Sequence, residues 1–199
     1  QERRKANLQA ANRRPKTEAE TRCLIDEQLR QVGWEADTTV LRYSKGCRPA
    51  KGHNLAIAEW PTDKVPGNEE KGYADYALFI GEKLVGIIEA KKWDTDISSV
   101  ISYQCKDYAR AVRKCDAEYL LGQWQDFKVP FVFAANGRPY VQQLQTKSGI
   151  WFADLRQSGN MPRAMAGWPS PLGLKEMLQE NTAEGNAALD ALPYDFLQD

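Results

Sequence analysis

At 199 residues the chain is long enough for one domain with a sizeable core. Its 27 Lys and Arg balance 27 Asp and Glu, so composition alone does not mark a nucleic-acid-binding protein. A single histidine, His53, and four cysteines without a CxxC pair exclude a zinc site of the usual ligand spacing, and reduced thiols fit a cytoplasmic protein.

Residues 1–16 carry six Lys and Arg against one Glu, so 1–15 reads as a basic arm ending at Pro15. Thr17 to Val32 reads as a helix with Leu24, Ile25, Leu29 and Val32 as its apolar stripe, stopped by Gly33. Residues 38–43 and 54–58 read as short strands, and 60–72, with Pro61, Pro66, Gly67 and Gly72, as a long connection. Two apolar runs, Tyr73 to Ile80 and Lys83 to Lys92, flank Gly81-Glu82 and predict a β-hairpin. From Ser98 to Cys115 the apolar residues Ile97, Ile101, Cys105, Tyr108, Val112 and Cys115 recur at spacings of four and three, which predicts a helix. Cys23, Cys105 and Cys115 then fall on helices as packing residues. Val129 to Ala135 reads as a strand, Asn136-Gly137 as a two-residue turn, and Tyr140 to Leu144 as an edge strand returning from it. Residues 150–155 add another short strand. Gly, Pro, Asn and Ser dominate 156–171, and helices near 172–180 and 183–192 finish the chain. Six Asp and Glu with no Lys or Arg make 176–199 an acidic, solvated tail. The order strand, strand, helix, strand, strand predicts an α/β fold, a central mixed sheet flanked by helices. No apolar run reaches membrane-spanning length.

The hairpin carries the chemistry. Antiparallel pairing through Gly81-Glu82 sets the start of the first strand beside the end of the second, so Asp75 and Glu89 can converge. Two carboxylates at one point repel unless a cation lies between them. Alternation puts Glu89 and Lys91 on one face, with Ala90 on the other. A hard divalent ion beside a lysine is apparatus for phosphodiester hydrolysis. Taken alone, the pattern also describes a solvated strand end with a weak ion pair. On the following helix Gln104 and Tyr108 lie one turn apart, while Lys106, Arg110 and Arg113 run along another stripe. Such cations suit a phosphate backbone and equally an ordinary solvated face.

In order, Asp75, Glu89-Ala90-Lys91 and Gln104-x-x-x-Tyr108 resemble the PD-(D/E)xK nuclease superfamily in its RecB-like branch, although Ala74 stands where the superfamily's nominal Pro would be. Thr17 to Asp26, Gly33-Trp34, Gly72 to Tyr76, Glu89 to Lys92 and Gln104 to Ala109 resemble more closely the nuclease region of the restriction (motor) subunit of Type I restriction-modification enzymes. The resemblance implies the PD-(D/E)xK fold over 16–155, with 156–199 connecting toward ATP-driven motor domains. No G-x-x-x-x-G-K-[S/T] loop occurs in this sequence, so ATP would act only through domains this chain lacks. It also implies Mg²⁺, with Mn²⁺ as substitute, held by Asp75, Glu89 and the Ala90 carbonyl. Lys91 would act on the attacking water, positioned by Gln104 and Tyr108, and Lys92, Lys106, Arg110 and Arg113 would meet DNA. The family's first helix often adds an acidic ligand, for which Glu20 is the candidate, with Glu18 and Glu27 behind it. Thr17-x-x-Glu20 is also a capping box, and both roles stay open. Implied partners are double-stranded DNA and the methyltransferase and specificity subunits. The alternatives are a stand-alone repair or junction-resolving nuclease, or a non-catalytic docking domain.

Overall fold

A computed structural model describes residues 17–64 and 72–180. The basic arm, part of the 60–72 connection, the helix expected near 183–192 and most of the acidic tail lie outside the described residues. Helix α1 (Glu18–Gln31) starts on a capping box at Thr17. It ends where the Gly33 amide donates to the Arg30 carbonyl and the Trp34 amide to the Leu29 carbonyl. That closure needs a left-handed residue, and Gly33 has φ 99°. Among the described residues the strands form one seven-stranded sheet in sequence order: β1 (Glu35–Ala36), β2 (Asn54–Pro61), β3 (Tyr73–Ile80), β4 (Lys83–Ala90), β5 (Phe131–Ala135), β6 (Ile150–Asp154) and β7 (Arg163–Ala164). β1 and β2 are parallel, as are β4 and β5; the other neighbours are antiparallel. The expected α/β fold with a mixed central sheet flanked by helices is present.

Alternation along the central strands feeds two apolar layers. On one face Ile57, Phe79, Ile87 and Val132 pack under Ile97, Ile101, Cys105, Tyr108 and Val112 from the β4–β5 crossover. On the other, Tyr76, Val85, Ile88 and Phe133 pack under Ile25 and Leu29 of α1 and under Trp168 and Leu174. Leu174 belongs to α3 (Pro171–Gln179), N-capped by Ser170. The segment after residue 155 therefore contributes to the core in its described part. The Trp168 ring lies 5.6 Å from Phe133, and the Trp34 indole donates to the Pro169 carbonyl at 2.9 Å.

A buried polar cluster fixes α1 on the sheet. The Tyr76 hydroxyl lies 2.9 Å from Asp26 Oδ1 and 2.8 Å from Thr38 Oγ1, while Thr38 donates twice to Asp26 Oδ2 at 2.8 and 2.7 Å. Burial, then the Asp26 charge, pushes the Tyr76 phenol far above its ordinary range and keeps it a donor. Tyr76→Phe should cost about 1–3 kcal/mol, because Asp26 then loses a buried donor. The check is urea unfolding: a lower midpoint at unchanged slope is expected, and an unmoved midpoint would contradict the cluster's role.

Four expectations fail locally. Residues 38–43 are not a strand, because the Asp37 carboxylate accepts from the amides of Thr39 and Val40 and bends the chain. Only Arg42 bridges to the sheet, beside Ala58. The helix expected over 98–115 is broken into a 3₁₀ turn (Val100–Ser102), α2 (Gln104–Arg110) and a second 3₁₀ segment (Lys114–Tyr119). Ser98, Ser99, Val100 and Ile101 are weak helix formers. The α2 end is closed by foreign donors, Asp63 N to the Ala111 carbonyl at 2.7 Å and Lys128 N to the Ala109 carbonyl at 2.9 Å. The apolar spacing nevertheless buries Ile97, Ile101, Cys105, Tyr108 and Val112, whereas Cys115, like Cys23, is exposed. Finally, Tyr140–Leu144 is not the return strand. Gly137 does turn with φ 74°, but Gln142–Lys147 is 3₁₀ and β6 takes the edge of β5. Ile150, Phe152 and Ala153 offer three residues to bury, where 142–145 offers mainly glutamines.

Candidate active site

β3 and β4 bring the sequence-predicted residues together. Their pairing ends at Tyr76–Ile88, so the next step of the register sets Asp75 opposite Glu89. Both side chains are 1% exposed. The Ala90 amide donates to Asp75 Oδ2 at 2.8 Å, fixing that carboxylate at the end of β4. Lys91 Nζ donates to Glu89 Oε1 at 2.6 Å. Hydrophobic strands force these groups inward: Ile87 and Ile88 precede Glu89 in β4, and Ala77 to Phe79 follow Asp75 in β3.

α2 roofs the pair. Gln104 Nε2 donates to the Tyr108 hydroxyl at 3.3 Å. Burial first, and then the Glu89 charge, raises the Tyr108 phenol to about 12, so it remains protonated at neutral pH. The same two causes, in the same order, raise the Cys105 thiol, which donates to the Phe133 carbonyl at 3.3 Å and is a packing group rather than a nucleophile.

Arg22 of α1, which the sequence reading passed over, also belongs here. Its Nη2 donates to Asp75 Oδ1 and pairs with Glu18 at 3.0 Å, and its Nη1 lies 3.6 Å from Glu59. Arg42 Nη2 also pairs with Glu59. Burial works against the Arg22 charge, but Asp75, Glu18 and Glu59 together hold its pKa above the ordinary value. The available signal was the helical phase of Arg22, one turn before the buried Asp26.

The remaining candidates are placed differently. Glu20 is exposed and closes the capping box, accepting from the Thr17 amide at 2.7 Å. Among the described residues no group of three or more His, Cys, Asp and Glu could hold a metal ion. Arg110 is held by Asp126 and by Asp107 at 3.1 Å, and its guanidinium stacks on Phe127. Arg113 forks onto Asp116 at 3.0 and 3.1 Å and reaches the Tyr43 hydroxyl. Both guanidiniums are thus held in ion pairs, Arg110 on the exposed surface. Lys92 is exposed and Lys106 half-buried. His53 contacts Glu35 on the surface at 3.0 Å, as a structural residue would.

Two buried carboxylates on neighbouring strand ends, each compensated by a cationic side chain, form a set of hard oxygen donors without thiolate or imidazole. That set fits Mg²⁺ or Mn²⁺, which need only one or two carboxylates and keep several waters. The family described as "Type I restriction enzyme EcoKI endonuclease subunit second domain" matches residues 35–178. The chain belongs to this family. It is also 42% identical over 194 residues to the Type I restriction enzyme EcoKI endonuclease subunit of Escherichia coli (strain K12), an alignment covering 85% of this chain and 16% of that protein. The chain thus spans about one sixth of the relative's length. No solved structure matches. No helix among the described residues is long and apolar enough to cross a membrane.

Proposed function

We propose that this restriction-subunit domain is a divalent-ion-dependent endodeoxyribonuclease of PD-(D/E)xK type. It would cut unmodified double-stranded DNA after an ATP-driven motor, carried elsewhere in the subunit, has translocated it. The observation that carries the reading is the pairing of Asp75 with the Ala90 amide at 2.8 Å, which sets a second buried carboxylate beside Glu89 and Lys91. A relative named as a Type I restriction enzyme endonuclease subunit supports it, and the subunit would work assembled with methyltransferase and specificity subunits.

Asp75, Glu89 and the Ala90 carbonyl would hold Mg²⁺ or Mn²⁺. The ion, when bound, lowers the pKa of a water and neutralises charge on the phosphate. Glu89 holds the Lys91 ammonium, half-buried, at the mouth of the pair. From there Lys91 would orient the attacking water and stabilise negative charge growing on the phosphate oxygens. The protonated Tyr108, which accepts from Gln104, would offer a neutral donor beside Glu89. Lys92 and Lys106 would meet the DNA backbone.

Glu89→Gln in the full-length subunit, assembled with its partner subunits, is the test. DNA-stimulated ATP hydrolysis should persist while cleavage of unmodified DNA is lost. Retained cleavage would sink the catalytic reading, and joint loss of both activities would favour a docking role.

A further inference from the structure

Glu59 stands in a strained and otherwise unexplained place. It falls between the Ala58–Tyr76 and Trp60–Ala74 pairs of β2 and β3, opposite Asp75, and has φ 52°, a left-handed conformation that a glutamate adopts only at a cost. Glu59, Asp75 and Glu89 thus occupy one row across three neighbouring strands. Arg22 bridges the first two, and Arg42 pairs with Glu59 from the other side. Both arginines are underused: the Nε of Arg22 and the Nε of Arg42 are buried and donate to nothing among the described residues. A buried guanidinium with an idle donor beside a second carboxylate can turn toward it with a gain in hydrogen bonding.

We infer that Glu59 is a positioning residue that receives Arg22 when a divalent cation takes Asp75. The inference rests on the metal-site reading given above. Arg22 serves as the counter-charge of Asp75 while no ion is bound. Two cations cannot share that carboxylate cheaply, so ion entry requires Arg22 to leave it. Glu59, already within 3.6 Å of Arg22 and steadied by Arg42, takes the guanidinium without returning it to water.

Mn²⁺ titration of the full chain, with free Mn²⁺ read by electron paramagnetic resonance, tests this. Arg22→Gln should tighten Mn²⁺ binding about tenfold, and Glu59→Gln should weaken it about fivefold, the usual size of a coupling between neighbouring sites. In the double variant the Glu59 effect should vanish, because there is no Arg22 left to receive. Additive effects, or Arg22→Gln binding no tighter than the unaltered chain, overturn the inference. Thermal melts confirm folding, and Glu59→Gly, which suits φ 52°, repeats the test if Glu59→Gln fails to melt cooperatively. Asp75→Asn separates the two levels. If it binds Mn²⁺ as tightly as the unaltered chain, the metal-site reading itself fails, whatever Glu59 does.

Discussion

Lys91→Arg is expected to abolish most cleavage while leaving a folded domain. The substitution keeps the charge beside Glu89, so the buried carboxylate stays compensated and the melting temperature should hold within a few degrees. The guanidinium, however, is planar, larger and never deprotonated, and it cannot reproduce the single ammonium 2.6 Å from Glu89 Oε1. Loss of a positioned group of this kind costs about 10²–10⁴ in rate. Lys91→Met should lose as much activity and also stability, by about 3 kcal/mol, because Glu89 is then buried without its cation. Single-turnover cleavage by the assembled full-length enzyme, with ATP hydrolysis as the internal control, measures both variants. Cleavage by Lys91→Arg within a few-fold of the unaltered rate would show that any positive charge suffices.

Ending the chain after Leu155 is expected to destroy the fold, although the resemblance places the nuclease region over 16–155. Without the following segment, Phe133 and Phe152 lose the Trp168 ring and the Arg163 guanidinium, and Trp34 loses its hydrogen bond to Pro169. β6 loses its partner β7, and Leu174, fully buried, no longer covers the α1 layer. Truncating a buried Trp or Leu typically costs about 2–5 kcal/mol each, and a domain's whole stability is about 5–15 kcal/mol. Circular dichroism should therefore show no cooperative melt for 1–155, whereas the full chain melts cooperatively. A cooperative melt of 1–155 near the full chain's temperature would make 156–180 dispensable.

The hairpin was legible because two apolar runs flank a turn signal at Gly81-Glu82, and both strands are buried almost throughout. The turn at Gly81-Glu82 pairs Ile80 with Lys83 and Phe79 with Leu84, but a bulge then shifts the register so that Leu78 meets Gly86, and only that shift sets Asp75 rather than Ala74 opposite Glu89. The crossover to a parallel β5 was legible for a similar reason. Its helix was predicted too long, yet Ile97, Ile101, Cys105, Tyr108 and Val112 are buried as their spacing implied, and Cys115 alone of that stripe is not. Arg22 was marked only by its helical phase one turn before Asp26, and Glu59 was not marked at all. A polar residue on an amphipathic helix looks alike whether it meets water or a buried carboxylate, and the left-handed turn of Glu59 arises from the β2–β3 register, which sequence does not print. The same limit explains the misplaced return strand. Asn136-Gly137 is a sound turn signal, but the Asn136 side chain is spent on the Thr95 carbonyl and the Arg138 amide, and the better-buried Ile150–Asp154 won the sheet edge. Glu20 shows the converse: both roles were readable at the helix start, and the capping role is the one its hydrogen bonds display.

As a nuclease centre, Asp75 and Glu89 must share one divalent ion. Anomalous diffraction from a crystal of the chain soaked in Mn²⁺ tests it most directly. A peak within coordination distance of both carboxylates, with Arg22 drawn off Asp75, is the expected result. Density that leaves both carboxylates bare in an open, well-ordered site at high Mn²⁺, with Arg22 still on Asp75, would contradict it.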